Sequence, residues 1–121
     1  MLTEKDYCDY DTCVALKELG YDDSTDLRYN SYGSLGNFLG GIKAPTLYEA
    51  QKWLREEKKI DVLVYLDDLK GYFPFIKIWE GFWKTFIILE EMEDKKVSYF
   101  VNYEEALSEG VRQAVKILKE K

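Results

Sequence analysis

The spacing of apolar residues along the chain changes from a helical period to a strand period and back again. The clearest helical stretch, residues 46–58, places its apolar residues on one face: Leu47, Ala50, Trp53 and Leu54. Thr46 is a favourable N-cap residue and Glu49 stands three positions later, so the two predict a capping box. Pro45 disfavours helical geometry at the residue before it. We therefore expect a helix that begins at Thr46.

Two further segments have the helical period. Residues 9–19 begin with Asp9, a favourable cap, and end before Gly20, which suits a left-handed helix end. Residues 102–119 begin with Asn102 and carry a broad apolar stripe: Tyr103, Ala106, Leu107, Val111, Ala114, Ile117 and Leu118. Gly110 interrupts this stripe at a cost of about 1 kcal/mol relative to alanine. We infer that another backbone approaches Gly110 closely, and we expect it to be the second helix near Ala50.

Between the second and third helices the apolar residues alternate with the two-residue period of strands. Turns at Gly71 and Gly81 divide residues 60–89 into three strands, and residues 97–101 extend the same sheet. Pro74 cannot donate a ladder hydrogen bond, so the second strand is expected to be an edge strand or to be bulged at that point. Residues 27–32 and 38–42 are expected as short extended pieces around a glycine-rich bend.

These elements predict an α+β fold, in which an antiparallel sheet of three to five strands packs with three helices. The 121 residues suffice for a single domain. Within it, residues 1–43 supply the N-terminal helix and a glycine-rich hairpin or loop, and residues 44–121 form a unit in α-β-β-β-α order. Double-stranded-RNA-binding domains share that order, but they hold phosphates with basic residues at the start of the last helix. Here that region is acidic, with Glu104, Glu105 and Glu109.

The charge and composition exclude several classes of function. The formal net charge of −6 opposes nucleic-acid binding, which needs a dense basic patch. The sequence contains no histidine, which removes the usual general base and a common metal ligand. We therefore predict a protein that is not an enzyme and needs no cofactor or metal. The chain has no apolar run of about 18 residues and no secretory signal, so we expect a cytoplasmic protein without a membrane span. In that setting Cys8 and Cys13 are expected as reduced thiols.

Two acidic motifs invite a chemical interpretation and have simpler explanations. Asp67 and Asp68 are adjacent carboxylates, as general acid and base pairs sometimes are, but they lie in a predicted turn where aspartate is common. The stretch DDSTD at residues 22–26 resembles the opening of a calcium loop. It lacks the glycine at the sixth position and the glutamate at the twelfth. Neither motif predicts catalysis or metal binding.

The glycine-rich segment Gly33–Gly41 leaves one alternative function open. Gly36 and Gly41 have the spacing of a phosphate-binding loop, but Ile42 stands where lysine is required and Lys43 where serine or threonine would bind magnesium. A flexible hairpin tip explains the glycines better. The alternative is a small-ligand or nucleotide-binding module that uses this loop together with aromatic side chains, on which bases can stack.

Aromatic residues are concentrated between residues 65 and 103. On the second predicted strand the odd-numbered residues are mostly aromatic and the even-numbered ones aliphatic, so both faces of the sheet are apolar. Two helices can cover one face only. The other is covered by residues 1–43, or it is a surface for a partner protein or for self-association. The residues predicted to make such contacts are Phe73, Phe75, Trp79 and Trp83.

The segments APTLYEAQKWLREEKKI (residues 44–60) and YEEALSEGVRQAVKIL (residues 103–118) together resemble a family of small uncharacterised proteins encoded by gut Bacteroidales and their phages. KELGYDD, at residues 17–23, fits the same pattern. The resemblance implies a mobile-element origin and no particular activity. Combined with the charge and the aromatic sheet face, it leads us to expect a small acidic protein-interaction domain. An antitoxin-like or anti-defence protein that engages a basic partner, or a homodimer, would fit the size and charge.

Overall fold

The structure is a computed structural model that describes residues 2–88 and 99–120, with side chains for residues 2–83 and 99–120. The helices are α1 (Tyr10–Glu18), α2 (Leu47–Glu57) and α3 (Tyr103–Lys119), preceded by a short 3-10 turn at Glu4–Asp6. The strands are β1 (Leu27–Tyr29), β2 (Leu35–Gly36), β3 (Ile42–Ala44), β4 (Ile60–Asp67), β5 (Gly71–Trp79) and β6 (Trp83–Ile88). The α+β fold class is confirmed.

The strands form two antiparallel sheets instead of the single sheet expected. The smaller sheet has the order β2-β1-β3 and the larger one β4-β5-β6. β1 pairs with both of its short neighbours, so these strands satisfy one another's backbone groups and do not join the larger sheet. The last short strand lies at Ile42–Ala44, later in the chain than the predicted 38–42. Leu89 and residues 97 and 98, predicted as strand, lie outside the described residues.

Strand β5 is the centre of the larger sheet, so the prediction of an edge strand from Pro74 is wrong. The described pairing with β6 ends at Phe75, and on the other side of Pro74 the backbone of Tyr72 exchanges two hydrogen bonds with Phe100. Pro74, two residues after Tyr72, directs its nitrogen to the same side of β5 as Tyr72, so its missing N–H removes no hydrogen bond from the pairing with β4. The register shift with β6 occurs between Ile76 and Lys77, not at Pro74.

One core lies between the larger sheet and the helices. α2 packs against β4, and α3 packs against β4, β5 and α2. The buried residues that the larger sheet contributes to this core are even-numbered: Ile60, Val62, Ile76 and Ile78. α1 packs against α3 and β3, and Cys8 and Cys13 are buried in this same core as free thiols. The N-terminal segment therefore lies on the helical side, and the expectation that it covers the second face of the sheet is wrong.

The close approach predicted at Gly110 is present, but its partner is the sheet and not α2. A Cβ atom at Gly110 would lie 2.4 Å from Val62 Cγ1 and 3.1 Å from Pro74 Cβ. Both of those residues are buried, on β4 and β5. The missing side chain allows α3 to rest directly on the sheet. The expectation of a backbone approach near Ala50 is wrong, because the atoms nearest to this position are side-chain atoms of the sheet, although α2 and α3 also pack against each other.

The helix starts follow the predicted cap chemistry. Asp9 accepts a hydrogen bond from Thr12 N at 2.8 Å, and Asn102 accepts one from Glu105 N at 2.8 Å. At α2 the capping box is complete: Thr46 Oγ1 accepts from Glu49 N at 3.1 Å, and Glu49 Oε1 accepts from Thr46 N at 2.8 Å. α1 ends as expected, with Gly20 at a φ of 106°.

We expect Thr46→Ala to reduce the free energy of unfolding by about 1 kcal/mol, because the amide of Glu49 then loses Thr46 Oγ1 as its hydrogen-bond acceptor. Urea titration followed by circular dichroism measures the loss. Lys52→Ala, at an exposed position on the same helix, serves as the control and should change stability by no more than about 0.5 kcal/mol. Equal effects of the two substitutions would contradict the capping role.

Candidate functional site

The candidate site is the face of the larger sheet that points away from the helices. We call it the aromatic face and define it by the odd-numbered side chains of β5 and their direct cross-strand neighbours. On β5 these are Phe73, Phe75, Lys77 and Trp79, and their neighbours include Leu63 and Tyr65 on β4 and Trp83 on β6. The two-residue strand period puts these side chains together. The structure therefore brings all four residues predicted from the sequence onto one surface.

The two tryptophans form one exposed end of the aromatic face. Trp79 and Trp83 are a cross-strand pair beside the hairpin turn, with ring centroids 5.4 Å apart and ring planes at 65°. Their side chains are 44% and 40% exposed. Phe82, in the turn between them, is 62% exposed. Each ring offers a broad apolar surface to solvent with few rotatable bonds, which is the property that makes tryptophan common at the centres of protein interfaces.

The opposite end is built from Tyr65, Phe73 and Tyr99. Phe73 contacts both tyrosine rings, at centroid distances of 6.0 Å to Tyr65 and 5.6 Å to Tyr99. Tyr65 is 53% exposed, and Phe73 and Tyr99 are partly buried. Tyr65 is not among the contact residues predicted from the sequence. Its alternation with Leu63 on β4 was the available signal, but only the register with β5 shows that it stands opposite Phe73.

Phe75, in the middle of the face, is only 4% exposed, so the expectation that it contacts a partner is not supported by its position. The ring of Tyr65 stacks on it, with centroids 4.3 Å apart and planes 7° from parallel. The ammonium group of Lys77 lies 5.8 Å from its centroid. Phe75 therefore supports the surface from below, and the exposed aromatic area lies at the two ends.

The charged groups on this side of the sheet already have partners. Lys70 Nζ lies 5.5 Å from the Tyr99 ring centroid, in the geometry of a cation–π contact, as Lys77 does over Phe75. Asp61, directly opposite Lys77, lies 3.6 Å from the Arg55 guanidinium. The lysines thus lie over aromatic rings and Asp61 is paired with Arg55, and the distinctive feature of the face is its aromatic surface.

A cleft of about 850 Å³ lies elsewhere, between the 3-10 turn and the start of α3. Its rim is acidic, and the carboxylates that line it are Glu4, Asp6, Asp9, Glu104, Glu105 and Glu109. Several of these have structural roles: Asp6 accepts from Thr3 N, Asp9 caps α1, and Glu109 pairs with Arg112. Among the described residues no group of three or more Asp, Glu, Cys or His side chains is placed to hold a metal ion.

Tyrosines next to this cleft and in the core have raised pKa values. Burial, reinforced by Cys13 and Asp9, raises the pKa of Tyr29 to about 12. Its hydroxyl donates a 2.7 Å hydrogen bond to the backbone oxygen of Cys8. Burial also raises the pKa of Tyr48, with Glu104 as the next cause. These phenols are held neutral as hydrogen-bond donors, which suits a structural role better than proton transfer.

The short motifs take the structural roles expected for them. Gly33–Gly41 contains β2 and its connections in the small sheet, and β3, Pro45 and Thr46 separate this segment from α2 in the chain. The side chain of Asp67 accepts hydrogen bonds from Leu69 N and Lys70 N and so fixes the β4–β5 turn. Within the described residues, no helix is long and apolar enough to cross a membrane.

No protein-family model, curated protein or solved structure matches this chain. The site must therefore be judged from its own geometry.

Proposed function

We propose that this protein is a non-enzymatic interaction domain that binds a basic partner protein through its aromatic face. The observation that carries the proposal is the Trp79–Trp83 pair, exposed on a rigid strand pair with no catalytic group beside it among the described side chains. Together with Phe82 and Tyr65, these side chains expose on the order of 400 Å² if each ring contributes about 200 Å² when fully open. The tryptophan end alone, with Phe82, supplies about 300 Å² of this area, which is near the lower limit for the largest patch on a typical monomer, and such patches are often functional.

The net charge of the chain indicates the sign of the partner's net charge. A net charge of −6 repels a second copy and attracts a cationic protein over distances of about 10 Å. In this proposal the net charge of the chain steers the partner, and the aromatic rings make the contact. An antitoxin-like or anti-defence role, and the mobile-element origin implied by the family resemblance, remain predictions within this proposal.

The test begins with a photo-crosslinking residue placed at Phe82, beside the tryptophans, and in a second protein at Tyr32, an exposed tyrosine in the small sheet. Proteins crosslinked from Phe82 but not from Tyr32 are identified by mass spectrometry, then purified and recombined with the pure domain. We expect a partner with a net positive charge whose association rate falls as salt is raised. A partner that is acidic, or that crosslinks equally from both positions, would contradict the proposal.

With the purified partner, we expect the double variant Trp79→Ala/Trp83→Ala to bind at least about 30-fold more weakly, because interface tryptophans commonly contribute about 2 kcal/mol or more. The matched control is Tyr32→Ala, which removes an exposed ring away from the aromatic face and should leave the Kd unchanged. Circular dichroism checks that both variants fold. Sedimentation of the wild type provides a further check. If the wild type is a dimer and the double variant is a monomer, the aromatic face binds a second copy of this chain and not a basic partner.

A further inference from the structure

The outer edge of β4 carries backbone groups that point away from its own sheet. β4 is the first strand in the order β4-β5-β6, so alternate residues direct their N–H and C=O groups to β5 and to the outside. Tyr72 shows which residues point outward: its N–H and C=O bond Phe100, on the side of β5 away from β4. Leu66 stands opposite Tyr72 and Val64 opposite Pro74. Both therefore direct their backbone groups outward.

Helix α2 covers the first half of this edge. Gln51 Nε2 donates to the outward carbonyl oxygen of Val62 at 2.7 Å. One turn further along α2, Arg55 lies 3.6 Å from the carboxylate of Asp61. The edge is thus closed by side chains from Asp61 to Val62.

The second half of the edge is open. Within residues 2–83 and 99–120, no group forms a hydrogen bond with the outward N–H or C=O of Val64 or Leu66. Proteins usually protect such an edge with lysine, proline or a bulge. Here the three residues are Val64, Tyr65 and Leu66, and the last two are exposed, as is Leu69 in the following turn. The open half offers four backbone hydrogen-bonding groups beside an apolar surface.

We propose that the open half of β4 pairs with an extended segment of the partner protein, which adds a strand to the larger sheet. The proposal rests on the function proposed above and specifies the partner's chemistry: apolar side chains at alternate positions, and lysine or arginine next to Asp67 and Asp68. Side chains of the added strand that lie level with Tyr65 would continue the aromatic face. The backbone supplies binding and the alternate side chains supply selectivity.

A second copy fits this edge poorly. Antiparallel self-pairing centred on Val64 places Asp61 opposite Asp67 of the other copy, and like charges directly opposite each other are destabilising. Self-pairing centred on Tyr65 places Asp68 opposite Val62, where Gln51 already occupies the carbonyl oxygen. A cationic segment meets neither obstacle and pairs favourably with Asp67 and Asp68.

Amide hydrogen exchange of the free protein, measured by NMR, tests whether the edge is open. We expect the amides of Val64 and Leu66 to exchange much faster than those of Leu63 and Tyr65, which face β5. Slow exchange at Val64 and Leu66 in a monomer would mean that the edge is already covered and would overturn the proposal.

Peptide titration tests the occupant. The probe is the end-blocked peptide Lys-Val-Thr-Val-Thr-Val-Lys. It is compared with the same peptide carrying N-methyl groups on its threonines, whose amides face β4 when the central valine lies level with Tyr65, and with a version that has glutamate at both ends. We expect the first to shift the amide signals of 64–66 and to bind at least about 10-fold more tightly than either of the others. No binding, equal binding of the three, or shifts confined to other residues would overturn the proposal.

The variant Leu66→Pro removes one outward N–H while leaving the bonds to β5, and Leu66→Thr removes the apolar side chain but keeps the N–H. We expect Leu66→Pro to abolish binding of the peptide and to weaken binding of the crosslinked partner. Leu66→Thr should affect both much less. If Trp79→Ala/Trp83→Ala loses partner binding and Leu66→Pro retains it, the edge proposal alone is refuted. If Leu66→Pro loses partner binding and Trp79→Ala/Trp83→Ala retains it, the tryptophan contact alone is refuted. If the wild type forms a dimer that Leu66→Pro abolishes, the edge binds a second copy of this chain and not a partner segment.

Discussion

Gly110→Leu is expected to cost at least about 3 kcal/mol of stability, or to prevent folding, because α3 has no room for a side chain where it meets the sheet. A Cβ atom alone would lie 2.4 Å from Val62 Cγ1, closer than carbon atoms approach in folded proteins. Pro74 Cβ stands 3.1 Å away on the neighbouring strand and is held by its ring. A loss of this size lowers the Tm by on the order of 10 °C. Thermal and urea unfolding, followed by circular dichroism, measure it.

A smaller change separates crowding from helix propensity. Gly110→Ala gains about 1 kcal/mol as a helix residue but adds the crowded Cβ, so it should be destabilising on balance. Combining it with Val62→Ala removes the Cγ1 atom that the new Cβ meets. The double variant should then lose less stability than the sum of the two single variants. Strictly additive losses, or a Gly110→Ala protein more stable than the wild type, would refute the contact.

The helices could be predicted from the sequence because local chemistry sets their ends. Thr46 with Glu49, Asp9, and Asn102 each satisfy amides within the next three residues, so the neighbouring sequence carries the whole signal. The alternation on β5 also separated the two faces of the strand correctly. These features depend on residues close together in the chain.

The order and grouping of the strands could not be predicted in the same way, because they depend on pairing between distant segments. Pro74 indicated an edge strand, yet it lies in the central strand, where its nitrogen points away from β4. Phe75 and Trp79 have the same place in the alternation, but Phe75 is buried because Tyr65 of β4 stacks on it. The exposed part of the candidate site therefore depends on register, which a single sequence does not specify.

The glycine-rich loop gives a second large effect: Gly41→Ala is expected to cost about 3 kcal/mol or more, because a clash with a neighbouring strand adds to an unfavourable backbone conformation. A Cβ atom at this position would lie 2.2 Å from the backbone oxygen of Tyr29, and the φ of 98° is itself unfavourable for a residue with a side chain. The oxygen belongs to β1, where Tyr29 pairs with Ile42, so it cannot move without separating β1 from β3. Urea unfolding measures the loss, and faster amide exchange in β1 and β3 would locate it.

Gly33 provides the matched control for this prediction, because it lies in the β1–β2 connection of the same small sheet at a φ of 78°, and a Cβ atom added there would have nothing within 4 Å. Gly33→Ala should therefore cost only the backbone penalty, about 1–2 kcal/mol. The difference between the two variants isolates the close approach to Tyr29. If both lose the same amount, Gly41 is needed for its conformation alone. If Gly41→Ala loses much more stability than Gly33→Ala, the packing of the small sheet explains the glycine at position 41. No phosphate or nucleotide bound to the loop is then needed to explain it.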